Sequence, residues 1–91
     1  MPHRLSDEEV GRQILGIFMR HRVMVSGTLQ RNNFFDVRDG DFQRGINKAV
    51  TNNWITIDLR NRYRYQLTAT GYAVGRTIDP PHHPTTNVVG P

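Results

Sequence analysis

Arg44, Asn47, Lys48 and Thr51 recur at helical spacing within RDGDFQRGINKAVTNNWI, the stretch from Arg38 to Ile55. A helix there holds all four on one side. Arg, Asn, Lys and Thr are side chains that hydrogen-bond base edges and phosphate oxygens. Further on, Arg60, Arg62 and Arg64 crowd into the segment LRNRYRY. A polar row of this kind is also what a solvated helix face carries, so residue types alone leave a nucleic-acid-facing surface and an ordinary one both open.

The charge distribution adds a direction. The chain has 91 residues and a formal net charge of +4. Residues 1–39 hold six basic and five acidic side chains, whereas residues 40–76 hold six basic ones against only Asp41 and Asp58. The excess therefore falls on the 38–55 stretch and the residues after it, a pattern that attracts polyanions at long range. The absence of Cys removes disulfides, thiolate zinc sites and a thiol nucleophile together. His82-His83 is an adjacent pair in a proline-rich segment, which does not aim two ligands at one metal from a rigid scaffold. His21 has no acid or nucleophile spaced to work with it. Neither an enzyme, nor a cofactor, nor a metal site is expected. The longest apolar run, Ile14 to Met19, is interrupted by Gly16 and too short for a bilayer. The amino terminus MPHRLSDEEV lacks the apolar core of a signal peptide, so the expectation is a cytoplasmic protein without membrane contact.

One small domain is expected over residues 1–76, followed by a Pro-rich tail, 77–91, without periodicity and expected to be disordered. A first helix starts at Ser6, where Ser6 and Glu9 have capping-box spacing. Val10, Ile14, Ile17, Phe18 and His21 share the face assigned to the core. Leu15 and Met19, with Gly11, make a smaller second stripe that is either further core contact or a homodimer surface. Val23-Met24-Val25 reads as a three-residue strand. Ser26 then caps a short second helix over residues 27–35, anchored by Leu29 and the pair Phe34-Phe35, with Val37 plugging the corner. In the third helix Phe42, Ile46, Ala49 and Val50 face inward, Asp39 caps the start, and Asn53 suits a left-handed position past the end. After Asn53 the period changes to two. Folding about Asn61 pairs Ile55 with Leu67, Ile57 with Tyr65 and Leu59 with Tyr63 on one face, with Asp58 across from Arg64 on the other. Trp54 is placed at the seam between hairpin and helices, and Thr68 caps a last helical turn.

The segment VMVSGTLQRNNFFDVRDGDFQRGINKAVTNNWITIDLRNRYRYQLTATGYAVG resembles a winged helix-turn-helix domain of the kind found in bacterial transcription regulators. The resemblance lies in the strand leading to the first motif helix, Val37 before the turn, and a wing closing with Tyr65-Gln66-Leu67-Thr68-Ala69-Thr70-Gly71. It implies a mainly helical α+β fold, three helices with a short first strand and a two-stranded wing. It also implies double-stranded DNA as partner. Arg44, Asn47, Lys48 and Thr51 would face the bases of the major groove with Gln43 on the flank, and Arg60, Arg62 and Arg64 would place the wing on phosphates or in the minor groove. Asp41 would then meet a cytosine amine or serve the helix dipole. Five cations on one side imply a log–log salt slope of roughly −4 to −5. The competing expectation is a winged-helix protein-interaction module, for which Leu15 and Met19 would supply the surface.

Overall fold

The computed structural model describes residues 5–78. Its elements run α1 (Asp7–Arg20), β1 (Thr28–Gln30), a 3-10 helix (Arg31–Phe34), α2 (Asp39–Thr51), β2 (Ile55–Ile57), β3 (Arg64–Leu67) and α3 (Ala69–Arg76). They build a small α+β domain, roughly half helical, with three α-helices and a three-stranded antiparallel sheet in the order β1-β3-β2. No helix among the described residues is long and apolar enough to cross a membrane.

Helix α1 begins as its sequence dictates. The Glu9 amide donates to Ser6 Oγ at 3.1 Å and the Ser6 amide donates to Glu9 Oε1 at 2.7 Å, closing the capping box. The two long helices end alike. Arg22 takes φ 59° and Asn53 takes φ 63°. Behind Arg22, the amides of Arg22 and Val23 return to the carbonyls of Met19 and Phe18 at 2.9 and 3.0 Å. Behind Asn53, the amides of Asn53 and Trp54 return to Val50 and Ala49 at 3.0 and 2.8 Å. Both are Schellman stops, in which a left-handed residue turns the chain and lets two amides satisfy the last carbonyls. The first of them corrects the expectation for His21, which is the C-cap of α1 and exposed. The helical period that would bury it ends one residue earlier.

The second helix expected over residues 27–35 is not α-helical. Its first half is strand β1 and its second half the 3-10 helix, while Val23-Met24-Val25 form no strand. The reason is tertiary. Central strand β3 has a second edge to satisfy, and residues 26–30 satisfy it, with Ser26 N–H on the Leu67 carbonyl at 2.8 Å and Leu67 N–H on the Gly27 carbonyl at 2.9 Å. Leu29 then stands opposite Tyr65 in the β1–β3 ladder. On the other side of β3, Ile55 pairs with Leu67 and Ile57 with Tyr65, the register the alternation demands. Of the two phenylalanines, Phe34 is fully buried and Phe35 is 85% exposed.

The core lies between the helices and the inner face of this sheet. Phe34 sits at its centre, with ring centroids 5.6 Å from Phe18, 5.2 Å from Phe42 and 6.2 Å from Tyr65. Val37 is buried as expected. Leu15 is fully buried and Met19 packs against the core beside Gly75 of α3, so α3 takes up the second stripe of α1. A homodimer surface through Leu15 and Met19 is thereby corrected to core contact. Gly45 lets α1 and α2 cross closely, since a Cβ there would fall 2.8 Å from Ile14 Cδ1 and 3.1 Å from the Val10 backbone. Val50 is 40% exposed, a correction to its assigned inward position; the buried arc of α2 is centred nearer Gly45. Trp54 is buried at the seam against Gly11, as expected.

Thr68 Oγ accepts from the Gly71 amide at 2.9 Å and starts α3. Helix α3 runs two turns rather than one, Thr77 caps it, and Ile78 packs against the core. The rest of the expected disordered tail, from Asp79 on, and with it His82-His83, lies outside the described residues.

Candidate nucleic-acid interface

Helix α2, the β2–β3 loop and the first residue of β3 carry the eight side chains singled out in the sequence. Helix α2 buries Phe42, Gly45, Ile46 and Ala49, so its opposite side carries Gln43, Asn47 and Thr51, all exposed. Gln43 Nε2 donates to Asn47 Oδ1 at 3.2 Å, and Thr51 Oγ donates to the Asn47 backbone carbonyl at 2.9 Å. These contacts are weak enough to exchange for an external partner, and the amide pair presents donors and acceptors side by side. Lys48 is half-buried and makes no ion pair to a described residue.

Arg44 is placed differently. Its guanidinium donates to Asp7 of α1, to Asp41 Oδ1 at 2.8 Å and to the Leu5 carbonyl at 3.2 Å. The hydrogen bond to Asp41, then that to Asp7, push its pKa further up. Arg44 thus ties the start of α1 to α2, and Asp41 serves Arg44 as well as the positive end of the helix. We expect Arg44→Ala to lower the thermal unfolding midpoint while leaving any salt dependence of binding unchanged, a comparison made by melting and titrating the same preparation.

Arg64 is also engaged within the fold, 3.7 Å from Asp58 on the outer face of the sheet. Arg60 and Arg62 are exposed and make no ion pair to a described residue. The loop that carries them is tightly bonded. Asp58 Oδ1 accepts from the amides of Arg60 at 2.7 Å and Asn61 at 3.3 Å, and Asn61 Oδ1 accepts from the Tyr63 amide at 2.9 Å. These are Asx turns, the reason Asp and Asn favour such positions. The Arg60 amide, with help from Asn61 and the charge of Arg64, holds the Asp58 carboxyl below its ordinary range against the opposing effect of burial. A depressed carboxyl stabilises the folded loop above its unfolded pKa, and that contribution disappears as the pH falls through the lower folded value. Below about pH 4 the Arg60 and Asn61 amide resonances should therefore move together with Asp58 protonation. Resonances that stay put through that titration would show the loop is held by other means.

Two residues not singled out in the sequence complete this end of the molecule. Arg31 donates to the carbonyls of Phe34 and Val37 at 3.0 Å each and to Asp39 Oδ1 at 2.7 Å, and lies 4.0 Å over the Phe42 ring. Its amide donates to the Tyr63 carbonyl at 2.9 Å. One side chain and its backbone thus join the root of the β2–β3 loop to the start of α2, which no spacing in the sequence announces. It also explains why Asp39 is not the cap of α2. The N-cap is Arg38, without a side-chain hydrogen bond, and the Asp39 carboxylate goes to Arg31. Arg38 is exposed and makes no ion pair to a described residue, but as the N-cap it stands before the outward row of α2 rather than in it. Its place in a two-residue Arg-Asp junction was the only available signal.

No known protein family, curated protein or solved structure matches the chain.

Proposed function

We propose that this is a winged helix-turn-helix-like domain that binds double-stranded DNA, as a transcription regulator does. The outer face of α2 enters the major groove and the β2–β3 loop, as the wing, reaches the backbone or minor groove. The observation that carries this reading is the division of the cations. Arg44 and Arg64 are matched by acids, whereas Lys48, Arg60 and Arg62 make no ion pair to a described residue, and α2 also exposes the hydrogen-bonding amides of Gln43 and Asn47. The order α1, β1, 3-10 helix, α2, β2, β3, with β3 central, supports the winged-helix assignment. Here the first motif helix is shortened to a single 3-10 segment.

Three available cations in place of five lower the expected salt slope to about −3 per protomer. Titration of a fluorescent mixed-sequence duplex across a salt series measures it. Absence of binding at low salt would remove the reading. A protein-interaction module is the second reading, and the 85% exposure of Phe35 favours it. Under that reading Phe35→Ala abolishes partner capture and duplex affinity is nil at every salt concentration.

A further inference from the structure

The loop between β2 and β3 reads Leu59-Arg60-Asn61-Arg62-Tyr63, two large side chains bracketing two cations. Leu59 is 99% exposed and Tyr63 is 69% exposed. The ladder ends with Ile57 opposite Tyr65, where Tyr65 is buried and Ile57 already 39% exposed, so Leu59 and Tyr63 lie beyond the last strand pair and past the core. Their exposure does not come from a loose loop. Asp58 and Asn61 bond its amides, and the Arg31 amide holds the Tyr63 carbonyl. A leucine held wholly in water by an ordered loop forgoes the stabilisation that burial would give it.

We propose that Leu59 and Tyr63 form a wedge that enters the minor groove of duplex DNA and unstacks a base step, with Arg60 and Arg62 on the flanking phosphates. This rests on the duplex-binding reading and adds to it a bent form of the partner. The charges select the occupant. A second copy of the tip would set its own Arg60 and Arg62 against these two, like charge on like, and the one carboxylate of the loop, Asp58, is already used. A groove walled by phosphates meets both cations and offers an apolar base stack to the leucine and the ring. Proteins that kink duplexes toward the major groove combine an apolar wedge with cations in this way. Pyrimidine–purine steps unstack most readily, so a duplex with a central TA step should bind about tenfold tighter than one with an A-tract there.

The test uses a duplex with 2-aminopurine beside a central TA step and a dye at each end. The full chain should raise the 2-aminopurine emission severalfold and draw the ends together by a bend of about 20–90°. Leu59→Ala/Tyr63→Ala should bind with an unchanged salt slope and lose both signals. Leu59→Ala alone, at a site with no packing to lose, should fold normally and lose most of the emission change. Binding by the unaltered chain without unstacking or bending overturns the wedge and leaves duplex binding intact. No binding at low salt overturns both. Self-association that the double variant abolishes, with emission unchanged throughout, assigns the tip to a second copy and overturns the wedge.

Discussion

Phe34→Ala should lower the stability of the domain by about 3–5 kcal/mol. The ring is fully buried and shared by Phe18, Phe42 and Tyr65, so its removal empties the point where α1, α2 and the sheet meet. Its neighbours cannot collapse inward, because each is fixed by its own element. Small domains have a total stability of about 5–15 kcal/mol, so this one change removes about a fifth of it or more. At about 4–8 °C per kcal/mol, the melting midpoint should fall by about 12–40 °C. The adjacent substitution is the control: Phe35→Ala, at an exposed position, should shift stability by less than about 0.5 kcal/mol. Thermal melts of the two variants side by side measure this. Equal shifts would mean that the aromatic centre around Phe34 is not what holds the fold.

That contrast also marks where sequence ceases to determine structure. Ser6 with Glu9, Asn53, Thr68 and the pairing of Ile57 with Tyr65 were legible, because each depends on residues a few positions away or on strict alternation. Residues 27–35 were not. Their spacing allowed a short helix, and the unsatisfied edge of β3, far along the chain, drew Thr28, Leu29 and Gln30 into a strand. His21 continued the helical period of α1, but Arg22 had already turned left-handed. Val50 failed for a geometric reason: eight residues carry it about 80° around the helix from Phe42, and the tight crossing at Gly45 pulls the buried arc the other way. The alternation also paired Leu59 with Tyr63, but the ladder stops at Ile57 opposite Tyr65, and both residues fall in the exposed loop beyond it. At the candidate site the outward set of α2 was readable from its period. The capture of Arg44 by Asp7 was not, since it joins residues brought together only by the crossing of α1 and α2.

This distinction decides which substitution tests DNA binding. Removing Arg44 would weaken the fold without changing the salt slope, and a complex lost through unfolding would say nothing about phosphate contacts. Arg60 and Arg62 are free of that ambiguity, because these loop hydrogen bonds use the amides of Arg60, Asn61 and Tyr63 and the side chains of Asp58 and Asn61, not the two guanidinium groups. Arg60→Ala/Arg62→Ala should therefore leave the melting midpoint in place and leave Lys48 as the one cation still facing the duplex from those three. With three contacts at about −0.9 each, a slope of about −2.7, affinity of the unaltered protein should fall about 40-fold between 50 and 200 mM salt; with one contact left, the fall should be only about three- to fourfold. The loss should be alike for all sequences, since phosphate contacts carry no base information, whereas Asn47→Ala should reduce discrimination between sequences and leave the slope unchanged. A double variant that keeps the steep salt dependence would place the polyanion on some other surface of the molecule and separate the loop from binding altogether.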